Sequence, residues 1–519
     1  MKVYSKHISI YEFRQMHPEG LQYKTDVYFA TTANKILQEL TSNCAVAKNI
    51  EHELLKIYAL KSTAYLEDVV SKLGLFNGFR KLNQQFCGNV LPFHVLDKNY
   101  DSEGLNLQDI QILLWTIFQE RDMENAKNHF LNPENFAIQI LSTCILRILQ
   151  QEYATAPQNE QLYSWLHKRD FNDFSEFRQI LHWLHYRSYL SRNYPLRNLD
   201  ELKKTMKKDQ TDYGRRLVYM MESNSIFTDV CTPLSVHAID WFKEISQNSL
   251  LLQKLKNTDF KPYSFYRIME NDKKIINLLP FDETKPMLPL ARSSLQVSNR
   301  HSSTIFEPGK ECIQCPLVFF DNLWHVNGFG AFYDMDKKIL NGEKEKIAKK
   351  KARQNSMELN RNAFLKQSNN LPIVFFKDFN NLRNFWNKVI PNISNEKEFF
   401  TNNPLVNEQN FAIFLNKTYG AQILPKMASM IKMKGNKLYD KTDAENYGIA
   451  ILTGAYPLPL EMIEYFINNN LIPDVAIVSN KGVSHAKQLV QNNMWFIVRF
   501  FQPKLFTRLL FDELPEDYE

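Results

Sequence analysis

From Asp26 to Gln151 apolar residues return every three or four positions, as in Ile36, Leu37 and Leu40, then Leu54, Leu55 and Tyr58, then Ile112, Leu113 and Ile117. That spacing lines one face of an α-helix and does not match the alternation of a half-buried strand. The first part of the chain is therefore expected to be helical, with Pro18, Pro92 and Pro133 as punctuation. Asn106, three residues ahead of Asp109 and just before the run QDIQILLWTIFQ, is the expected N-cap of one helix. Ala154 to Asn159, polar and containing Pro157, reads as a linker, after which helical spacing resumes from Leu162 to Leu190. Lys203 to Arg216 reads as exposed helix with a loop.

After Thr258 the period changes. Pro262, Pro280, Pro286 and Pro289 mark an irregular segment. CPLVFF, an Asp321-Asn322 turn and LWHVNGF then form an expected β-hairpin, with Gly328 and Gly330 at its far end. LPIVFF, Leu371 to Phe376, begins another ordered part. Nearer the C-terminus Ile449 to Thr453, Asp474 to Ser479 and Met494 to Phe500 read as strands, and Leu458 to Asn470 and Ser484 to Asn492 as helices. The expected class is α+β and predominantly helical: a helical N-terminal half, then a mixed α/β C-terminal half with the hairpin and a small β-α-β-α-β sheet. The expected divisions are 1–155, a helical domain; 156–260, a helical extension; and 261–519, the mixed region. With 37 Phe against 15 Gly in 519 residues, aromatic-cored helices are favoured over turn-dense all-β folds.

The formal net charge of +6 is unevenly distributed. Between Lys337 and Lys366 there are ten basic and three acidic residues, so this one segment carries +7 and the remaining residues sum to −1. Within EKEKIAKKKAR, Glu343 to Arg353, only Ile347, Ala348 and Ala352 interrupt the charges, which leaves no apolar stripe for docking on a core. Lys346, Lys349, Lys350, Lys351 and Arg353 are the candidate contacts to nucleic acid or another anion, because each phosphate neutralised releases counterions. The competing reading is a solvated helix or mobile linker, the usual state of a charge run.

Six scattered cysteines are too few for a disulfide framework and suit a reducing compartment. MKVYSKHISIYEF has no continuous apolar core of a secretory signal, and the longest uncharged apolar run, Phe136 to Leu146, is 11 residues, against the roughly 20 that span a bilayer. A cytoplasmic location without a membrane partner is expected.

His301, Cys312, Cys315 and His325 are four ligand types of a tetrahedral zinc site within 25 residues. Against zinc, Cys312 and Cys315 point to opposite faces if both lie in extended strand, and a pair of structural cysteines is the alternative. His182 and His185 share a helix face, but no Glu stands between them as the zinc-protease motif requires, so a packed aromatic face is favoured. Glu67 and Asp68, with Tyr65 and His94, are the most suggestive carboxylates; being adjacent on a helix they diverge by about 100°, so at most one enters a shared site. A Mg²⁺ site of the Toprim type needs an acid at the end of the strand, and Val478-Ser479-Asn480-Lys481-Gly482 offers none; Ser484 remains a helix-start anion contact.

The stretch LKSTAYLEDVVSKLGLFNGFRKLNQQFCGNVLPFHVLDKNYDSEGLNLQDIQILLW, Leu60 to Trp115, with Asp26-Val27-Tyr28-Phe29, Ala33-Asn34 and WHVNGF at Trp324 to Phe329, resembles an uncharacterised Bacteroidota family known as a domain of unknown function. The resemblance is strongest from Asp26 to Trp115 and implies no activity, cofactor or site residue. Two readings stay open: an interaction or nucleic-acid-associated protein using the basic segment, and an enzyme with an unrecognised, metal-dependent site between the helical half and the central hairpin.

Overall fold

The computed structural model describes residues 7–96, 98–124, 129–168, 173–206, 212–297, 306–389, 404–418, 420–473, 479 and 481–509. They form two compact units, one within Met1–Met335 and Phe506–Asp512, the other within Asp336–Leu505 and Glu513–Glu519.

The first unit begins as the periodicity predicts, with helices α1 (Ile10–Arg14), α2 (Asp26–Asn43), α3 (His52–Ser71), α4 (Leu75–Cys87), α5 (Leu107–Glu124) and α6 (Phe136–Tyr153). Ile36, Leu37 and Leu40 of α2 and Leu54, Leu55 and Tyr58 of α3 are all buried, which is what drives their helices together. Asn106 does precede α5, but its side-chain oxygen takes the Asp101 amide and its side-chain nitrogen donates to Asp109. The helices continue as α7 (Glu160–His167), α8 (Phe174–Tyr186), α9 (Asn193–Met206), α10 (Asp212–Thr228), α11 (Ala238–Ile245) and α12 (Ser249–Leu255). α4 and α11 meet at Gly78, where an added Cβ would stand 2.4 Å from Ile245 Cγ2. Beside this contact the Trp241 indole donates to the Leu75 carbonyl.

Six strands follow: β1 (Phe260–Asn271), β2 (Ile275–Pro280), β3 (Leu288–Ala291), β4 (Glu311–Phe320), β5 (Leu323–Val326) and β6 (Ala331–Asp334). Their order is β1-β2-β3-β5-β4-β6, and β1 also pairs with β4, so five strands close into a ring with β6 added along β4. Ile268, Leu278, Leu290, Ile313, Cys315, Leu317 and Trp324 fill the interior. The expected hairpin is β4–β5, with Phe320 opposite Leu323 and both Asp321 and Asn322 at positive φ, the backbone of a two-residue hairpin turn. The irregular segment before it is in fact three strands. Pro262 falls where the β1–β4 register shifts between Lys261 and Ser264, and a bulge is where a strand tolerates a proline.

The second unit opens with α13 (Lys337–Gln367), then β7 (Ile373–Asp378), α14 (Phe379–Val389), β8 (Gln409–Asn416) and β9 (Gly420–Leu424). Its sheet is antiparallel, in the order β7-β8-β9, and this replaces the expected β-α-β-α-β arrangement. Ile449 to Thr453 belongs to the helix Lys441–Thr453, and Met494 to Phe500 to the helix Met494–Phe501. The run MWFIVRFF resembles a strand because it is buried on nearly every side, and a short helix deep in a core shows no more periodicity than a buried strand. Gly454, at φ +75°, ends its helix instead of turning from a strand, and the Gln502 amide packed on it donates to the Ile451 and Leu452 carbonyls. The helices Leu460–Asn468 and Val483–Gln491 match their expected ranges closely. Of the expected strand Asp474 to Ser479, residues 474–478 lie outside the described residues.

Candidate functional site

The basic segment forms α13, 31 residues and about 46 Å long at 1.5 Å per residue. Asp336 starts it, its carboxylate accepting from the Ile339 amide at 2.8 Å. Phe364 alone is buried, packed edge-on against Phe385 of α14 within the core that also holds Leu382 and Trp386. Everything N-terminal to that anchor is exposed or half-buried, and Leu359 is 70% exposed. Lys, Glu, Ala and Arg are strong helix formers, so the segment needs no core to be helical.

Lys346 pairs with Glu343 at 3.3 Å and Lys349 with Glu345 at 3.0 Å, along the helix and in solvent. Exposed pairs of this spacing contribute only about 0.3–0.5 kcal/mol, so they do not lock the lysines in place. At 100° per residue, Lys346, Lys349, Lys350 and Arg353 share an arc of about 100° and Lys351 lies about 100° beyond it, while the ten basic residues from Lys337 to Lys366 together surround the helix. α13 is a positively charged rod, not a one-sided patch.

Of the zinc candidates, the three that are described, Cys312, Cys315 and His325, form no metal-holding group. Cys312 and Cys315 are both fully buried in β4, an odd number of residues apart and hence on opposite faces. The Cys312 thiol donates to the Tyr333 carbonyl, while Cys315 lies in the ring's apolar interior, where burial pushes its thiol pKa up. His325 stacks on Phe174 with 4.8 Å between centroids and bonds the Phe320 carbonyl; burial lowers its pKa. His301 lies outside the described residues. Among the described residues no group of three or more His, Cys, Asp or Glu is arranged to hold a metal.

The hairpin packs directly against the helices. Phe320 stacks on Phe177, and Asn327 donates to the Ser223 carbonyl and the Asn224 side chain. His185 is buried in α8, where desolvation, with His182 and His237 nearby, brings its pKa down to about 3. His182, on the same helix, meets Glu222 at 3.2 Å.

Glu67 and Asp68 are both buried and, as their divergence requires, serve different partners. Glu67 meets His17 Nε2 at 2.7 Å and accepts from Asn159 at 2.8 Å. Across the ring, His17 Nδ1 stands 3.3 Å from Asp26, which also holds Arg14. Burial opposes charge on His17, but Glu67 and Asp26 outweigh it and raise the imidazole pKa to about 9. Asp68 accepts from the Leu75 and Phe76 amides at the start of α4 and from Tyr189; burial nevertheless pushes its carboxyl pKa up. Tyr65 joins a third cluster, donating to Asp109 at 2.8 Å. These networks tie helices together. Sequence spacing gave no sign of His17, which is 50 residues from Glu67.

Among the described residues no helix is long and apolar enough to cross a membrane. A sequence model of the family described as "Protein of unknown function (DUF3843)" matches residues 6–266 and 322–502, most of the chain. No curated protein and no solved structure matches it.

Proposed function

The chain belongs to the DUF3843 family of proteins of unknown function, and from that premise we propose that it is a nucleic-acid-associated protein that engages phosphates through α13. One observation carries this reading: a 31-residue helix with seven net positive charges is anchored in its unit's core near its C-terminal end, by Phe364 with Ala363 and Leu365, and is exposed or half-buried along the rest of its length. A helix so charged pays self-repulsion that a polyanion relieves. Its all-round charge suits backbone phosphates, which are read without base specificity. Six free cysteines support a reducing, cytoplasmic setting, and the Lys- and Asn-rich composition supports a Bacteroidota source.

The test is binding of labelled DNA and RNA across a salt series, by the full chain and by a variant with Lys349, Lys350, Lys351 and Arg353 replaced by Gln. The full chain should bind with a log–log salt slope that falls by up to about 3 to 4 in the variant, near one unit per lost phosphate contact. Salt-independent binding, or a slope unchanged by the replacements, overturns the proposal. Binding of an acidic protein but of no nucleic acid does so too.

A further inference from the structure

The sheet of the second unit has one face sealed and one partly open. Phe411, Ile413 and Leu415 of β8 join Phe364, Leu382 and Trp386 in a closed core, together with Val374 and Phe376 of β7. Residues alternate across a strand, so Phe375 and Lys377 point to the opposite face. Phe375, half-buried, sits opposite Ala412 in the register. Among the described residues β7 is an edge strand, paired only with β8.

The loop around Gly435 passes β7, and between loop and strand lies a pocket of about 350 Å³, lined by Phe376 as well as by Phe375 and Lys377. Phe375, Lys377 and Asn381 line one side, Asn436, Lys437 and Gly435 the other. The loop is held in advance of any ligand. Asn436 donates to the Ala428 and Ile431 carbonyls, each at 2.7 Å, and accepts from the Leu438 amide at 3.0 Å. Gly435 supplies a backbone at φ +91° that other residues rarely adopt. No carboxylate lines the pocket. The nearest in sequence, Asp378, is occupied by the Asn381 amide and side chain, each at 2.9 Å. Among the described residues neither Lys377 nor Lys437 has an ion-pair partner.

A pocket lined by a half-buried aromatic residue, two lysines and two asparagines is the chemistry that takes a planar base together with its phosphate. The volume is at the lower end of ligand pockets, enough for one nucleotide and too small for a base pair and its two backbones. We infer that the pocket between β7 and the Gly435 loop holds one nucleotide of a single strand, so that the protein prefers single-stranded to duplex nucleic acid. This rests on the phosphate-binding role proposed for α13, and it adds what that helix alone does not supply, a contact to an unpaired base.

The test measures anisotropy of a labelled 15-nucleotide oligothymidylate and of a 15-base-pair blunt duplex with the full chain. The variants are Phe375→Ala, Phe375→Leu, Lys377→Gln with Lys437→Gln, and the fourfold α13 replacement. The native chain should favour the single strand. Phe375→Ala should weaken single-strand binding roughly five- to 150-fold, the range for loss of one stacked base, and leave duplex binding unchanged. Phe375→Leu keeps the apolar bulk and the fold, and should lose the same preference; the double lysine variant should weaken the single strand more than the duplex. The α13 replacement should weaken both probes. Equal affinity of the native chain for the two probes, or single-strand binding untouched by the Phe375 and lysine variants while α13 still matters, overturns the pocket and leaves the role of α13 standing. No binding of either probe overturns both.

Discussion

Replacing His17 by Gln should remove a pH-dependent share of the first unit's stability. The imidazole is buried between two carboxylates, Glu67 at 2.7 Å and Asp26 at 3.3 Å, and its pKa is raised from about 6.5 to about 9. A group whose folded pKa is raised stabilises fully below its unfolded value and loses that contribution as the pH climbs through the folded one. The window is therefore roughly pH 6.5 to 10. A rise of about 2.5 units, at 1.36 kcal/mol per unit, corresponds to about 3 kcal/mol. His17→Gln also leaves the buried Glu67 without its cation, while Asp26 keeps Arg14, so at pH 6.5 it should cost about 3–5 kcal/mol. Urea unfolding of both proteins, followed by tryptophan fluorescence and circular dichroism at a series of pH values, isolates this contribution because every other titrating group is common to the pair. The gap between native and variant should narrow by about 3 kcal/mol between pH 6.5 and 10. A gap constant across that range would show that His17 is not held as an imidazolium.

Gly78→Val should lower the melting temperature and cost about 1–3 kcal/mol, because the new Cβ meets Ile245, a branched side chain with little freedom to move; a variant as stable as the native chain would mean that α4 and α11 are not in close contact. Cys315→Ser should destabilise by about 1–3 kcal/mol by placing a hydroxyl in the ring's interior, and the loss should be the same with and without added zinc in thermal melts. A native melting temperature that rises with zinc, and fails to do so in Cys315→Ser, would restore the Cys/His cluster as a metal site.

What the sequence made legible was whatever depends on neighbours along the chain. The helices from Asp26 onward follow from three- and four-residue spacing, and the hairpin follows from Asp321-Asn322 between apolar runs. The ring of strands did not show, because Pro262 hid β1 and the proline that argues against a strand instead marked its bulge. MWFIVRFF was misread because burial on all sides erases the period that separates helix from strand. Glu67 and Asp68 were rightly read as divergent, yet their partners His17, Asn159 and Tyr189 lie 50 to 121 residues away and follow no local rule. The basic segment, read either as a phosphate contact or as a solvated helix or mobile linker, is a helix from Lys337 to Gln367.

The pairing of β1 with β4 has a consequence for how the chain comes to be folded. The ring cannot close until residues near 265 meet residues near 314, about 50 positions later. Loop-closure entropy must be met before that pairing returns anything. Until β4 arrives, β1 and β2 present open edges able to pair with other chains. A nascent chain stalled between Asn271 and Glu311 should therefore aggregate, whereas one released after Asp334 carries no such hazard in its ring.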